Sequence, residues 1–328
     1  MSRPGFEVAR RVAGIGVATV AIAGLGIIVA GAPARAEPSS WPSFDVPALP
    51  PLQSFAAASA VPDARHAASI DTEHIFGFSM GSDIGEKGEI EVEMENVAGF
   101  GKRAGSYATL ATLNQVKYTL TDRIRIAPGF ALGAQRIDGV PGYDNRRHLT
   151  FNGAAFELRT KLIDRDVAPF GLTLHVQPGW SRVDDGSGVR IEQYGAEFAA
   201  LMDRELIKDR LFAAFNVWYG TAATRELATS AWGHDSELQL HGALSYAVTP
   251  NVVFGGAVRY ARAYDGGGLD RLQGEAVYLG PTFSWTISPT VGLSGTWQVQ
   301  VAGNGDGGGL DLDNYERHQA MLRLNAHF

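Results

Sequence analysis

The side chains best placed for chemistry in this 328-residue chain are charged and imidazole groups that recur at every second position. Glu89, Glu91, Glu93 and Glu95 alternate with Ile90, Val92 and Met94, and Glu157, Arg159 and Lys161 follow the same spacing. Alternate residues of a strand share one face, so each such run puts its charges on a common surface. The candidate set on that surface is Glu91, Glu93, Lys117, Arg125, Glu157, Arg159, Lys161, His175, Glu197, His241, Arg259 and Arg323. Two chemistries suit it. The charges could neutralise one another as a structural network, or they could select a polar or anionic solute.

Nucleophilic chemistry has weaker support. Gly77-Phe-Ser79-Met-Gly81 matches the Gly-x-Ser-x-Gly elbow by letter, but no helical pattern follows Gly81, and the elbow works only on a strand-to-helix turn. His234-Asp235-Ser236 reads as the polar edge of a loop, and His175 and His241 have no serine beside them in the alternating pattern. His318 is the one histidine expected on the outer face, where a phospholipid-modifying enzyme would need its base. The aspartates of the 304–314 loop lack the spacing and closing Glu of a calcium-binding EF-hand loop. No catalytic residue, metal or cofactor is assigned.

The elements that must position these residues are strands. From about residue 89 the apolar pattern keeps a period of two, as in Ser236 to Tyr246, Val291 to Val301 and Ala320 to Phe328. About twelve segments result, near 89–100, 106–120, 123–137, 147–163, 168–182, 189–203, 208–221, 235–248, 251–263, 272–287, 290–302 and 314–328. Tight turns such as Thr121-Asp122, Thr249-Pro250 and Ser288-Pro289 alternate with longer polar loops, including 138–146, 221–235 and 303–314. Strands of about 15 residues exceed the usual length in soluble sheets. Outward aromatics fall in two bands: Tyr118, Tyr246, Trp285 and Phe328 toward the tight turns, Trp180, Tyr219 and Tyr260 toward the loops. The expected fold is all-β: a transmembrane antiparallel up-and-down β-barrel with both termini periplasmic. A mean hydropathy of -0.05 is compatible with this, being the average of a lipid face and a wet face. Pairing of the first and last strands would set Arg323 against the Glu89, Glu91 and Glu93 ladder. Phe212, Trp218 and Tyr278 fall on the inner face and would narrow the lumen, and Glu275 is read as a further inward charge.

Residues 1–36 read as a signal peptide: Arg3, Arg10 and Arg11 precede an uncharged run, and Ala34-Arg35-Ala36 is a small-x-small cleavage pattern. Residues 37–72 form a lead-in rich in Pro, Ala and Ser, and the barrel occupies 73–328, with 73–80 read as a segment on the tight-turn side. Lys+Arg number 28 against 35 Asp+Glu, and this acidic balance argues against a nucleic-acid partner. The absence of cysteine excludes disulfide scaffolds and thiolate metal sites.

The alternating segments and the closing Phe328 resemble bacterial outer-membrane β-barrel proteins, and the 73–89 motif is similar to small porin-like barrels of the MetA-pathway-of-phenol-degradation type. The resemblance implies a monomeric pore in outer-membrane lipid that passes a small-molecule solute, inserted by the barrel assembly machinery through Phe328. A structural or adhesion barrel acting through its loops, and a barrel enzyme, are the alternatives.

Overall fold

The computed structural model describes residues 70–304 and 309–328. Among them twelve strands close into one antiparallel barrel. They are β1 (Ile90–Phe100), β2 (Ser106–Thr121), β3 (Ile124–Asp138), β4 (Arg146–Ile163), β5 (Gly171–Val183) and β6 (Arg190–Ile207). The second half is β7 (Leu211–Glu226), β8 (Trp232–Thr249), β9 (Val252–Asp265), β10 (Arg271–Ser288), β11 (Val291–Gly303) and β12 (His318–His327). Every strand pairs with its neighbours in sequence, and β1 closes on β12 in the register Glu95 to Arg323. The expected signal peptide, nearly all of the lead-in and Asp306 of the 304–314 loop lie outside the described residues.

The two faces of the wall are inverted relative to a soluble barrel. Val92, Val116, Phe130, Phe156, Leu174, Phe198, Phe215, Leu244, Phe254, Leu279 and Val301 all point outward and are exposed. Lys117, Arg125, Glu157, Arg159, Asn216, Gln298 and Arg323 point inward and are buried. An apolar exterior around a polar interior suits lipid as the outer solvent, where closure also satisfies every strand's backbone groups. Tyr118, Tyr246, Trp285 and Phe328 are exposed at the short-turn end.

Four strand boundaries and one orientation differ clearly from the sequence expectation. β7 runs to Glu226 and β8 starts at Trp232, so the 221–235 loop shrinks to 227–231. β6 likewise continues through Ile207, and β12 begins only at His318. Beyond the apolar band neither strand face meets lipid, so pairing continues after the alternating pattern has faded. Glu275 was expected inside, but it faces outward beside Arg262 (3.1 Å) and Tyr260. Side-chain alternation is unbroken from Gly274 to Trp285, so Glu275 shares the outward face of Leu279 and Trp285, opposite the inward Tyr278.

Residues 70–88 are no wall strand and do not stay at the mouth; they fold into the lumen from the short-turn end. Ile75 and Phe76 pack against Phe212, Ala214, Ala243, Ala247, Val253 and Ala257, an inward patch of mostly small side chains. Burying one such phenylalanine contributes about 1.5–3 kcal/mol. Gly77 has a φ of 70°, and a Cβ there would meet the Thr282 methyl at 2.8 Å. The chain turns across the lumen there and returns, so that a Cβ on Gly81 would collide with the Thr72 carbonyl oxygen.

Candidate functional site

Wall and plug meet in a buried charge cluster. β1 supplies Glu91 and Glu93, β2 Lys117, β3 Arg125, and β4 Glu157 and Arg159, all inward by strand alternation. Glu73 of the plug enters among them. Arg125 donates to both of its carboxylate oxygens (2.5 and 2.7 Å), Lys117 approaches at 3.0 Å and Arg159 at 2.9 Å. Lys117 also reaches Glu91 (3.2 Å) and Glu93 (2.7 Å), while Glu157 bridges Arg125 and Arg159 at 3.0 Å each. Arg323 sits 3.4 Å from Glu93 and bonds Glu95, so the β1–β12 ion pair forms one step further along the ladder than Glu89 and Glu91. The wall alone balances its charges here: Glu91, Glu93, Glu95 and Glu157 face Lys117, Arg125, Arg159 and Arg323. Glu73 and His74 are additions brought by the plug.

A second latch holds the plug at the short-turn rim. Arg165, in the turn between β4 and β5, reaches Asp83 at 2.8 Å and Asp203 of β6 at 3.0 Å, and donates to the Ile70 carbonyl at 2.7 Å. The Ser82 amide donates to Asp203 (3.1 Å), and Thr173 donates to the Ser82 carbonyl (2.5 Å). Burial, reinforced by Asp71 and Asp203, pushes the Asp83 carboxyl up to about 6 against the pull of Arg165. Lys161 stands 3.9 Å from Asp83 at the same rim.

Toward the long loops the lumen stays open as a vestibule of about 460 Å³. Its floor is Phe78 of the plug, whose ring lies 4.2 Å from the Arg259 guanidinium carbon. Glu197, Trp218, His241, Arg259 and Tyr278 line it, and Trp218 lies between a tilted His175 ring (5.1 Å) and a stacked His241 ring (6.1 Å). Near the mouth, burial and then Asp184 push the Asp185 carboxyl well up; Asn152 of β4 donates to it.

All twelve sequence-derived candidates therefore face the lumen, but in two groups. Glu91, Glu93, Lys117, Arg125, Glu157, Arg159, His175 and Arg323 surround the plug, with Lys161 at its rim, whereas Glu197, His241 and Arg259 face the vestibule. Sequence reading missed Glu73, His74, Asp83, Arg165 and Asp203. The available signal was the run of inward alanines at 214, 243, 247 and 257, which leaves a hollow for Phe76.

Other chemistries fare as follows. Glu73, His74 and Glu91 bring ligand atoms within 4.8 Å of one another, but Lys117 already sits among these carboxylates, and its ammonium repels a metal ion. Ser79 is buried within the plug, away from any strand-to-helix turn. His318 faces outward, where the Trp297 indole donates to its Nδ1 at 3.4 Å.

No curated protein matches the sequence. Among solved structures the chain is similar to the COG4313 outer membrane channel from Pseudomonas putida F1, with 13% identity, 75% of this chain and 97% of that chain covered, and a TM-score of 0.49. It is also similar to the NanC porin (10% identity, 73% and 98% covered, TM-score 0.40). The KdgM porin in complex with disordered oligogalacturonate gives 9% identity, 73% and 99% covered, and a TM-score of 0.36. A family model matches residues 68–328, most of the chain, and the protein belongs to that family of unknown function, DUF6662.

Proposed function

We propose that the protein is a monomeric outer-membrane channel for passive movement of a small solute, with residues 70–88 as its gate. In this reading the signal peptide is removed, the short turns and both chain ends are periplasmic, and Phe328 serves the assembly machinery. The observation that carries the reading is an open polar vestibule that ends on a plug inside a lipid-facing barrel. Glu91, Glu93, Lys117, Arg125, Glu157, Arg159, His175 and Arg323 form the seat of the gate, and Lys161 sits at its rim. Because the wall charges balance without Glu73, departure of the plug leaves no net charge stranded at a depth where unpaired charge is costly. Glu197, His241 and Arg259 meet the solute before it reaches the gate.

Planar-bilayer recording of the full-length protein and of a variant lacking residues 37–88 tests this. The full chain is expected to be mostly closed with brief openings, and the shortened chain to conduct steadily. If both stay silent while their gel migration remains heat-modifiable, as for a folded barrel, the channel reading fails.

A further inference from the structure

The vestibule is unequal in charge. Glu197, Asp235 and Glu237 line it with no cationic ion-pair partner among the described residues, and the one arginine on its surface is Arg259. That arginine is already engaged: its guanidinium carbon stacks 4.2 Å from the Phe78 ring and 4.9 Å from Tyr278, and it bonds Gln319.

The hydrogen bonds run the same way. The Gln239 amide nitrogen donates to Glu237 Oε2 at 2.9 Å, which leaves the Gln239 carbonyl oxygen to accept from His241 Nε2 at 2.9 Å. With the ring hydrogen on Nε2, His241 Nδ1 keeps a lone pair. His241 is only 4% exposed, lines the vestibule, and its Nδ1 has no hydrogen-bond partner. The cavity thus presents carboxylate oxygens and the His241 Nδ1 lone pair beside the faces of Trp218 and Tyr278.

We propose that the vestibule binds a small organic cation, an ammonium or amidinium group on an apolar or aromatic body. Its N–H groups bond Glu197, Glu237 and His241 Nδ1, and its body packs on Trp218, Phe78 and Tyr278. Ammonium groups favour such ring faces as well as carboxylates. An anion of the same size would meet three carboxylates and a single guanidinium already covered by two rings. The proposal rests on the channel reading and adds the class of solute that the channel receives.

Titration calorimetry of the full-length protein in detergent, with phenethylammonium against phenylpropionate as probes of like size, tests the site. Phenethylammonium is expected to bind at least about tenfold more tightly, a difference of about 1.4 kcal/mol. The Glu197→Gln/Glu237→Gln variant, isosteric and checked for heat-modifiable migration, should lose at least about tenfold in that affinity. Where that double variant fails to fold, Glu197→Gln alone should show a reduced preference, and Glu205→Gln at the exposed short-turn end should show none. Equal or stronger binding of phenylpropionate, or unchanged binding in a folded glutamine variant, overturns the proposal. Cation binding without conductance in any variant would remove the channel reading and leave the site standing; conductance without cation binding would do the reverse.

Discussion

The two halves of the lumen are built from the same strands and differ in what their inward residues face. Toward the short turns, inward charges meet one another and the plug; Lys117, for example, contacts three carboxylates within 3.2 Å. Toward the long loops, Glu197 and Glu237 meet a cavity of about 460 Å³. Strand alternation decides which residues point inward in both halves. Among the described residues only the closed half has a segment that complements the wall, which is why one half reads as a lock and the other as a receptacle. Buried charge without a partner is costly, so a half that keeps unpaired carboxylates is one shaped for something that arrives.

Breaking the lock should have the largest effect. Glu73→Ala removes the plug's charge-assisted hydrogen bonds from Lys117, Arg125 and Arg159, about 1.5–3 kcal/mol each, and that loss comes from plug docking. Open probability in planar bilayers should rise by two orders of magnitude or more, on the order of the exponential of that energy. An unchanged open probability would mean that the charge cluster does not hold the plug.

Phe76→Ala should come next. It empties the alanine-lined hollow at about 3 kcal/mol and lengthens openings without changing their size. Unaltered dwell times would place the plug's affinity elsewhere.

The rim latch gives a smaller, pH-dependent term. The Asp83 carboxyl is raised to about 6 with the plug seated, above its ordinary 3.8, so proton uptake favours the seated state. Docking should tighten as the pH on the short-turn side falls from about 7.5 toward 5, and the open fraction should fall with it. Asp83 faces Asp71, Asp203, Arg165 and Lys161, and Asp83→Asn should flatten this dependence. Openings that increase as the pH falls over this range would contradict the assignment.

The smallest effect belongs outside. Arg262→Ala disturbs only the exterior Tyr260–Arg262–Glu275 cluster and should leave the barrel's thermal stability and its conductance unchanged.

Legibility in the sequence followed the same division. Wherever one strand face meets lipid, as at Val116, Phe156 or Leu279, the period of two exposed both the strand and its inward charges. Outside the lipid band, at 221–226 and 232–235, the strands continue without that pattern and read as loop. Glu275 reads as inward because a charge favours the lumen, yet it alternates with the inward Tyr278 and faces outward, where Arg262 and Tyr260 engage it. The plug was hardest to read. A segment that touches the wall all around has no favoured face and hence no period, and Glu73 gains its meaning only from Lys117, Arg125 and Arg159, strands away in the chain. The open half was half legible: Glu197, His241 and Arg259 were found, but that they face a cavity depends on where the plug stops.

The most direct test of the gate uses a chain that has no cysteine of its own. Ser82 on the plug and Gly171 on β5 lie side by side: a Cβ on Gly171 would lie 2.9 Å from that of Ser82, and a shift of the plug by about an ångström gives the roughly 3.8 Å between the Cβ atoms of a disulfide. In a Glu73→Ala background, a Ser82→Cys/Gly171→Cys pair should lock the plug when oxidised and free it when reduced. Single-channel recording should find a silent barrel before reductant and full openings after it. Openings of equal size and frequency with the cross-link intact would contradict the account that residues 70–88 close this pore.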